Sequence, residues 1–176
     1  MKACPERSRR KMFTAGILTI SDKGSRGERQ DKSGEAIREI LSGMDVRIAN
    51  YDIVPDEKEL IVEKLVKWVD EDDLDVLITT GGTGLTPRDV TPEATLAVVD
   101  RIVPGFAEAM RAESLRKTPM AMLSRAVVGT RGKCLIINLP GSPKAVRECL
   151  EVILPALPHA VETLKGQAGE CGTAQA

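Results

Sequence analysis

The distribution of apolar residues in the first half of the chain is the feature that most limits its possible folds. Short apolar runs at 13–20 and 75–80, and a partly alternating run at 46–54, have the length of β-strands buried in a sheet. Between them, segments 33–41 and 57–69 repeat apolar residues at helical spacing. This order predicts an α/β fold with right-handed crossovers between parallel strands.

The second half of the chain predicts further helices and a hairpin. Helices are expected near 92–101 and 105–116, and strands at 122–130 and 133–139 should turn at Arg131-Gly132. A long helix at 142–154 should be bent or broken by Pro155 and Pro158 before a last turn near 161–164.

The length of the chain favours a single domain. A chain of 176 residues buries roughly 70% of the surface that its unfolded form exposes, which is enough for one hydrophobic core. Segments 1–11 and 166–176 lack periodicity and are predicted to be flexible tails, the first of them basic. The folded domain should therefore span 12–165.

Composition excludes several classes of function. The chain has 25 Lys and Arg against 26 Asp and Glu and is only 2% aromatic, which argues against nucleic acid as a partner. Its single histidine, His159, excludes a His-pair metal site, so carboxylates or cysteines would have to hold any metal.

Four cysteines without a CxxC pair favour reduced thiols over disulfides or zinc ligands. No apolar run is long enough for a membrane span, and no cleavage site follows the basic start, so a cytoplasmic protein is predicted.

A glycine-rich loop is the strongest local motif. The sequence TTGGTGLTPRDVTPEA at 79–94 follows a predicted buried strand and leads into a helix, with Thr91 as a candidate N-cap before Pro92. Glycines at such a position allow backbone N–H groups to approach an anion closely. The GGxG pattern is by itself equally typical of a tight turn, and it matches neither the Walker A motif nor GxGxxG.

Two aspartates near strand ends are candidates for metal binding. Asp56 follows the third strand, where it is also a candidate helix N-cap with Glu59 completing a capping box. Asp89 lies two residues before Thr91 and is therefore not needed as a cap. If their strands are neighbours, both carboxylates could face one cleft and hold Mg²⁺ together with substrate phosphates.

Two further polar loops are expected at the same edge of the sheet. The segment NLPGSPK at 138–144 joins a strand to a helix, and its Ser142-Pro143 pair is equally typical of a plain helix start. The segment SDKGSRG at 21–27 follows the first strand and precedes DKSG at 31–34. Because ligands bind at the carboxyl ends of strands in open α/β sheets, these loops predict one cleft.

These motifs together resemble the molybdopterin adenylyltransferases of molybdenum cofactor synthesis, of the MogA type and the gephyrin G domain. The matching stretches span about 13–165 and include ILTISDKGSRG, IVPDE, TTGGTGLTPRDVTPEAT, PGFAEAMR, SRAVVGTRGKCLIINLPGSPKAV and ILPALPHAVETL. The resemblance implies a three-layer α/β/α fold with a mostly parallel sheet and a β-hairpin, and a homotrimer.

The resemblance also implies an activity and its cofactors. The implied reaction transfers AMP from ATP to the terminal phosphate of molybdopterin and releases pyrophosphate with the help of Mg²⁺. A separate protein that inserts molybdenum is a possible partner. The alternative is a MoaB-like relative that binds molybdopterin or serves as a scaffold without catalysis.

Roles for individual residues follow from the same resemblance. Asp56 and Asp89 match the catalytic aspartates of the family and would hold the metal. Nucleotide phosphates would meet Gly81, Gly82, Thr83, Gly84 and Arg88. The ligand cleft would be lined by Ser21, Asp22, Asp31, Ser33, Ser124, Arg125, Pro140, Gly141, Ser142 and Lys144. We expect the cations Arg88, Arg125 and Lys144 to neutralise phosphate charge.

Overall fold

The computed structural model describes residues 12–167, which contain one six-stranded sheet in the order β2-β1-β3-β6-β5-β4. The strands are β1 (Phe13–Ile20), β2 (Val46–Val54), β3 (Val76–Thr80), β4 (Arg101–Ile102), β5 (Val128–Arg131) and β6 (Cys134–Leu139). The first four strands of that order run parallel, whereas β5 is antiparallel to both β6 and β4. The three strands predicted in the first half of the chain are thus confirmed.

The described residues also form seven α-helices and one 3-10 helix. They are α1 (Asp22–Ser25), α2 (Lys32–Ser42), α3 (Lys58–Asp70), α4 (Thr91–Leu96), α5 (Pro104–Leu115), the 3-10 helix (Pro119–Leu123), α6 (Pro143–Ile153) and α7 (Leu157–Leu164). As predicted, the chain breaks between α6 and α7, where Pro158 stands in the first turn of α7.

Helices cover both faces of the sheet, because side chains along each central strand point alternately to one face and the other. On one face, Ala15 and Ile17 of β1 share a core with α2, α5, α6 and α7. On the other face, Leu18 and Ile20 share a second core with α3 and α4, which includes the buried Trp68. The three-layer α/β/α architecture is therefore confirmed.

The structure corrects several predicted boundaries. The hairpin is shorter than predicted, because residues 119–123 form the 3-10 helix and β5 begins only at Val128. Helix α4 ends at Leu96 rather than near 101, where the short edge strand β4 follows. The turn predicted near 161–164 is the end of the full helix α7.

The predicted cap of α4 is also wrong. Val90 is the N-cap, and Thr91 is already the first residue of the helix. The buried Thr91 hydroxyl instead donates a hydrogen bond of 2.9 Å to the carbonyl of Gly81. A residue that resembles a cap in the sequence thus fastens the glycine loop to the start of α4.

Two of the four cysteines lie in the described residues. Cys134 and Cys149 are buried, and their thiols are free as predicted, whereas Cys4 and Cys171 lie outside the described residues. The predicted tails also lie outside them, apart from Gly166 and Gln167. None of the described helices is long and apolar enough to cross a membrane.

Candidate functional site

Four chain segments meet at one edge of the sheet, where the parallel strands β2, β1, β3 and β6 all end. Asp56 follows β2 and the glycine loop 81–84 follows β3, with β1 between these two strands. The strands are therefore not direct neighbours, in contrast to the simplest expectation for Asp56 and Asp89. Their shared direction nevertheless brings the loops to one edge, where α/β folds bind ligands.

The glycine loop requires glycine at its first two positions. Gly81 and Gly82 have φ angles of 99° and 62°, which side-chain-bearing residues rarely adopt. A Cβ on Gly82 would lie 2.3 Å from Thr91 Oγ1 and 3.2 Å from Asp56 Oδ1. The loop backbone therefore lies directly against the Asp56 carboxylate, which is possible because Gly82 has no side chain.

Asp56 and Asp22 bind each other reciprocally. The Asp22 backbone N–H donates to Asp56 Oδ2 at 2.8 Å, and the Asp56 backbone N–H donates to Asp22 Oδ1 at 3.1 Å. Asp56 does not cap α3, contrary to the alternative prediction, because Glu57 occupies the N-cap position without a side-chain bond. Burial raises the pKa of the Asp56 carboxyl above its ordinary value, and the nearby charges of Asp22 and Asp89 raise it further.

Arg88 bridges two carboxylates beside this pair. Its guanidinium donates to both oxygens of Asp22, at 2.7 and 3.1 Å, and to Glu57 Oε1 at 3.2 Å. Hydrogen bonding to Arg88 lowers the pKa of Asp22, which therefore stays ionised. The guanidinium is half exposed, so incoming phosphates can reach it only in competition with Asp22 and Glu57.

Asp89 closes a turn that follows the glycine loop. Its Oδ2 accepts hydrogen bonds from the Thr86 backbone N–H at 2.8 Å and from the Thr86 hydroxyl at 2.6 Å. Its Oδ1 accepts no hydrogen bond from any described residue, and the same holds for Oδ1 of Asp56. Each aspartate thus keeps one oxygen available for a ligand. In residues 12–167 no group of three or more His, Cys, Asp or Glu side chains is arranged to hold a metal ion.

Arg125 binds the backbone of the glycine loop and of the turn that follows it. Its Nε donates to the Gly84 carbonyl at 2.7 Å, its Nη2 donates to the Asp89 carbonyl at 2.5 Å, and its Nη1 pairs with Glu93. Its backbone N–H donates to the Thr83 carbonyl at 3.0 Å. Through these contacts Arg125 clamps the loop, and a contact of its guanidinium with a phosphate stays a prediction.

A polar cavity of about 750 Å³ opens on one side of the glycine loop. Eight of the predicted site residues line it: Ser21, Asp31, Ser33, Asp56, Gly81, Gly82, Gly141 and Ser142. Asp31 caps α2 through Gly34 N at 2.9 Å, and its other oxygen accepts from the Thr19 and Tyr51 hydroxyls. The Asp31 carboxylate is therefore held by the protein itself.

An apolar cavity of about 430 Å³ opens on the other side of the same loop. Its wall includes the thioether and alkyl side chains of Met110, Met120 and Leu123, with Lys117 and Lys144 among the charged lining residues. The predicted residues Thr83, Gly84, Ser124, Pro140 and Lys144 line this cavity. Ser142 lines both cavities, so the two cavities adjoin at the start of α6.

Four predicted residues line neither cavity. Asp22, Arg88 and Asp89 stand beside the glycine loop and are connected to it through Asp56 and Gly84, and Arg125 is the clamp described above. Two cations of the polar cavity, Arg29 and Lys32, are not among the residues predicted from the sequence. Arg29 lies between the SDKGSRG and DKSG motifs and Lys32 within the second, so their position beside these motifs is the signal that could have indicated them.

Known proteins are similar to this chain over most of its length. A family model described as a probable molybdopterin binding domain matches residues 16–159. Molybdopterin adenylyltransferase from Helicobacter pylori is 49% identical over 153 residues, which cover 86% of this chain and 87% of that protein. Gephyrin from Dictyostelium discoideum is 44% identical over 159 residues, which cover 85% of this chain and 22% of that protein.

A solved structure shows the same fold. The molybdopterin biosynthesis enzyme MoaB from Thermus thermophilus superposes with a TM-score of 0.84 at 59% identity, covering 88% of this chain and 98% of that one. The resemblance found in the sequence is thus confirmed. The chain belongs to the molybdopterin-binding family of molybdenum cofactor biosynthesis that includes the molybdopterin adenylyltransferases and gephyrin.

Proposed function

We propose that this protein is a molybdopterin adenylyltransferase, which transfers the AMP moiety of ATP to the terminal phosphate of molybdopterin and releases pyrophosphate. The observation that carries the proposal is the pair of cavities that adjoin along the glycine loop and share Ser142. A transfer between two phosphorylated substrates needs two binding sites whose phosphate ends meet. The loop 81–84 lies at that meeting point, beside Asp56 and Asp89.

The residues at the meeting point suit phosphoryl chemistry. Backbone groups of the glycine loop can approach phosphate oxygens closely because no side chain intervenes. Lys144 of the apolar cavity forms no ion pair with the described residues, and its charge is free to neutralise a phosphate. Holding the attacking phosphate and the α-phosphate in line lowers the barrier chiefly through orientation and charge stabilisation.

Direct transfer between the substrates needs no covalent protein intermediate. Burial raises the pKa of the Cys134 and Cys149 thiols, which disfavours their nucleophilic thiolate form. His159 lies in α7 and lines neither cavity. The function therefore rests on substrate alignment, for which Arg125 keeps the glycine loop in place.

Asp56 and Asp89 fit a magnesium ion. Oδ1 of each carboxylate accepts no hydrogen bond from the described residues, and the Asp89 charge contributes to the raised pKa of Asp56. A divalent cation would relieve this repulsion, and Mg²⁺ is commonly held by one or two carboxylates together with substrate phosphates. When bound, the ion would polarise phosphate oxygens and offset the charge of the leaving pyrophosphate.

The direct test is an adenylylation assay. The protein is incubated with molybdopterin, ATP and Mg²⁺, and adenylylated molybdopterin and pyrophosphate are quantified by chromatography. We expect both products in equal amounts, and none when ATP or Mg²⁺ is omitted. Absence of product from well-folded protein that binds molybdopterin would contradict the proposal.

That contradicting result defines the second candidate function. The MoaB structure at 59% identity makes a MoaB-like molybdopterin-binding or scaffold protein the alternative. Under this alternative, the protein would bind molybdopterin at equilibrium and form no adenylylated product. Binding without product therefore indicates the second function, whereas product that is lost in the Asp56→Asn and Asp89→Asn variants indicates the first.

We further propose a homotrimer in which residues 12–165 form the adenylyltransferase domain. Seven large apolar side chains are exposed on the described surface after β3: Leu85, Leu96, Ile102, Leu115, Met120, Met122 and Leu123. Association with other subunits would bury apolar side chains of this kind. Light scattering of the purified protein tests the trimer. A cytoplasmic location and a molybdenum-insertion partner stay predictions.

A further inference from the structure

Ser21 and Asp22 connect the first turn after β1 to the end of β2 and the segment after it by three hydrogen bonds. Ser21 N donates to Val54 O at 2.9 Å, Asp22 N donates to Asp56 Oδ2 at 2.8 Å, and Asp56 N donates to Asp22 Oδ1 at 3.1 Å. The last two bonds hold the Asp56 carboxylate through Oδ2 and the Asp56 backbone through its N–H. Oδ1 of Asp56 is left facing Gly82, on the side of the glycine loop.

The Asp22 side chain is itself fixed in place. Arg88 donates to both of its oxygens, and Ser21 caps the short helix α1 by accepting from Gly24 N at 3.0 Å. Both oxygens of Asp22 are therefore engaged within the protein. Asp22 lines neither cavity, which distinguishes it from Ser21, Asp31 and Ser33 of the same two motifs.

From this geometry we infer that Asp22 is a positioning residue, which acts on the reaction through Asp56 and makes no contact with either substrate. The inference rests on the proposed adenylyl transfer and gives Asp22 a role different from the ligand contact that the sequence resemblance implies. Its side chain fixes the backbone at Asp56, and its backbone N–H fixes the carboxylate. Small displacements of a group that aligns reacting phosphates reduce turnover strongly.

Three variants test the inference. Asp22→Ala removes the acceptor for Asp56 N, whereas Asp22→Asn keeps an acceptor oxygen at the same position without the charge. Asp22→Ser, whose side chain is too short to reach Asp56 N, replaces the alanine variant if that variant does not fold. For each variant, kcat and the KM of both substrates are measured in the adenylylation assay.

A matched control is available elsewhere in the chain. Arg131 donates to both oxygens of Asp70, at 2.9 and 2.6 Å, as Arg88 does to Asp22. Asp70→Ala therefore removes an equivalent bidentate ion pair remote from the glycine loop. Comparing the two alanine variants separates positioning of Asp56 from a general loss of stability, which is measured for both by thermal unfolding.

We expect Asp22→Ala to lower kcat about tenfold or more while both KM values stay within about threefold, and Asp22→Asn to recover most of kcat. Asp70→Ala should retain the wild-type kcat. Unchanged kcat in Asp22→Ala would overturn the inference. A raised KM for molybdopterin at unchanged kcat would also overturn it, since that result indicates a substrate contact. Equal losses in Asp22→Ala and Asp22→Asn would count against it as well, because the charge would then matter and the bond to Asp56 would not.

A binding measurement separates this inference from the proposed function. Mn²⁺ is titrated by electron paramagnetic resonance in the presence of α,β-methylene ATP, which cannot release pyrophosphate. Asp22→Ala should weaken Mn²⁺ binding about fivefold or more relative to Asp70→Ala, because the Asp56 backbone loses the bond from its N–H to Asp22 and the carboxylate shifts with it. Wild-type protein that forms no product would contradict the proposed function, whereas equal Mn²⁺ affinity in the two variants would contradict the role of Asp22.

Discussion

Two aspartates at opposite ends of the parallel strands differ in how many partners bind their carboxylate oxygens. Asp75 lies just before β3 and is 8% exposed. Its Oδ2 accepts from the Thr14 backbone N–H at 2.8 Å and from the Thr14 hydroxyl, and its Oδ1 pairs with Lys165 at 2.6 Å. Asp56, at the other end, has a single bonded oxygen and no direct cation partner among the described residues.

The difference separates a structural carboxylate from one available for a ligand. A buried charge is tolerated when its hydrogen-bonding capacity is satisfied, as that of Asp75 is. Asp56 instead keeps Oδ1 open, and burial and neighbouring carboxylates raise its pKa. Sites that bind ligands commonly retain such unfavourable electrostatics, which the ligand or metal then relieves.

The largest expected contrast is in catalysis. Asp56→Asn should lower kcat for adenylyl transfer by about a hundredfold to a thousandfold, because the amide cannot replace the negatively charged ligand that we propose for Mg²⁺. Asp75→Asn should leave kcat within about twofold, since Asp75 lies at the far end of β3. Both rates are measured at saturating ATP and Mg²⁺. Similar losses in the two variants would remove the distinction between the two ends of the sheet.

The next contrast is in folding stability. Asp75→Asn should lower the free energy of unfolding by about 2 kcal/mol, less than for a fully buried pair because Lys165 is 29% exposed. Urea denaturation measures this value, and Lys165→Met completes a double-mutant cycle for the pair. A coupling energy near zero would show that Asp75 stabilises the fold through its bonds to Thr14 alone.

A third contrast compares glycines with similar backbone angles. Gly82 and Gly132 have φ angles of 62° and 54°, but only Gly82 of the two lies against other atoms where a Cβ would be placed. Gly132→Ala should cost about 1 kcal/mol of stability from backbone strain alone. Gly82→Ala should cost about 2–3 kcal/mol and lower kcat about tenfold or more, because the methyl group displaces Thr91 or Asp56. Equal kcat in the two variants would contradict the placement of the loop against Asp56.

The smallest expected effect is the pH dependence contributed by Asp56. Its raised pKa means that the folded state binds a proton more readily than the unfolded state, so this group destabilises the fold as pH rises from the ordinary pKa of 3.8 through the folded pKa. Asp56→Asn should therefore be more stable than wild type at neutral pH, by less than about 1 kcal/mol because solvent screens the partly exposed carboxylate. The difference should vanish below pH 3.8. Denaturation curves at several pH values measure it, and a destabilised variant at neutral pH would contradict the sign.

Much of the fold was predictable from local patterns. The apolar runs of β1 and β3 and the helical spacing in α2 and α3 are strong signals, because burial on one or two faces imposes a regular repeat on the sequence. The short elements were not predicted. Residues 119–123 and the two-residue strand β4 carry too little periodicity, and their conformation depends on contacts with β5 and α5.

The sequence by itself determined the polar loops, the glycines of the loop 81–84, and the family, since each of these depends on residue types in a fixed local order. Tertiary structure decided what those residues bind. Asp22 binds Asp56, Arg125 clamps the loop, and Thr91 fastens that loop rather than capping α4. These roles depend on which strand ends the sheet order brings together, and the spacing of residues along the chain does not contain that information.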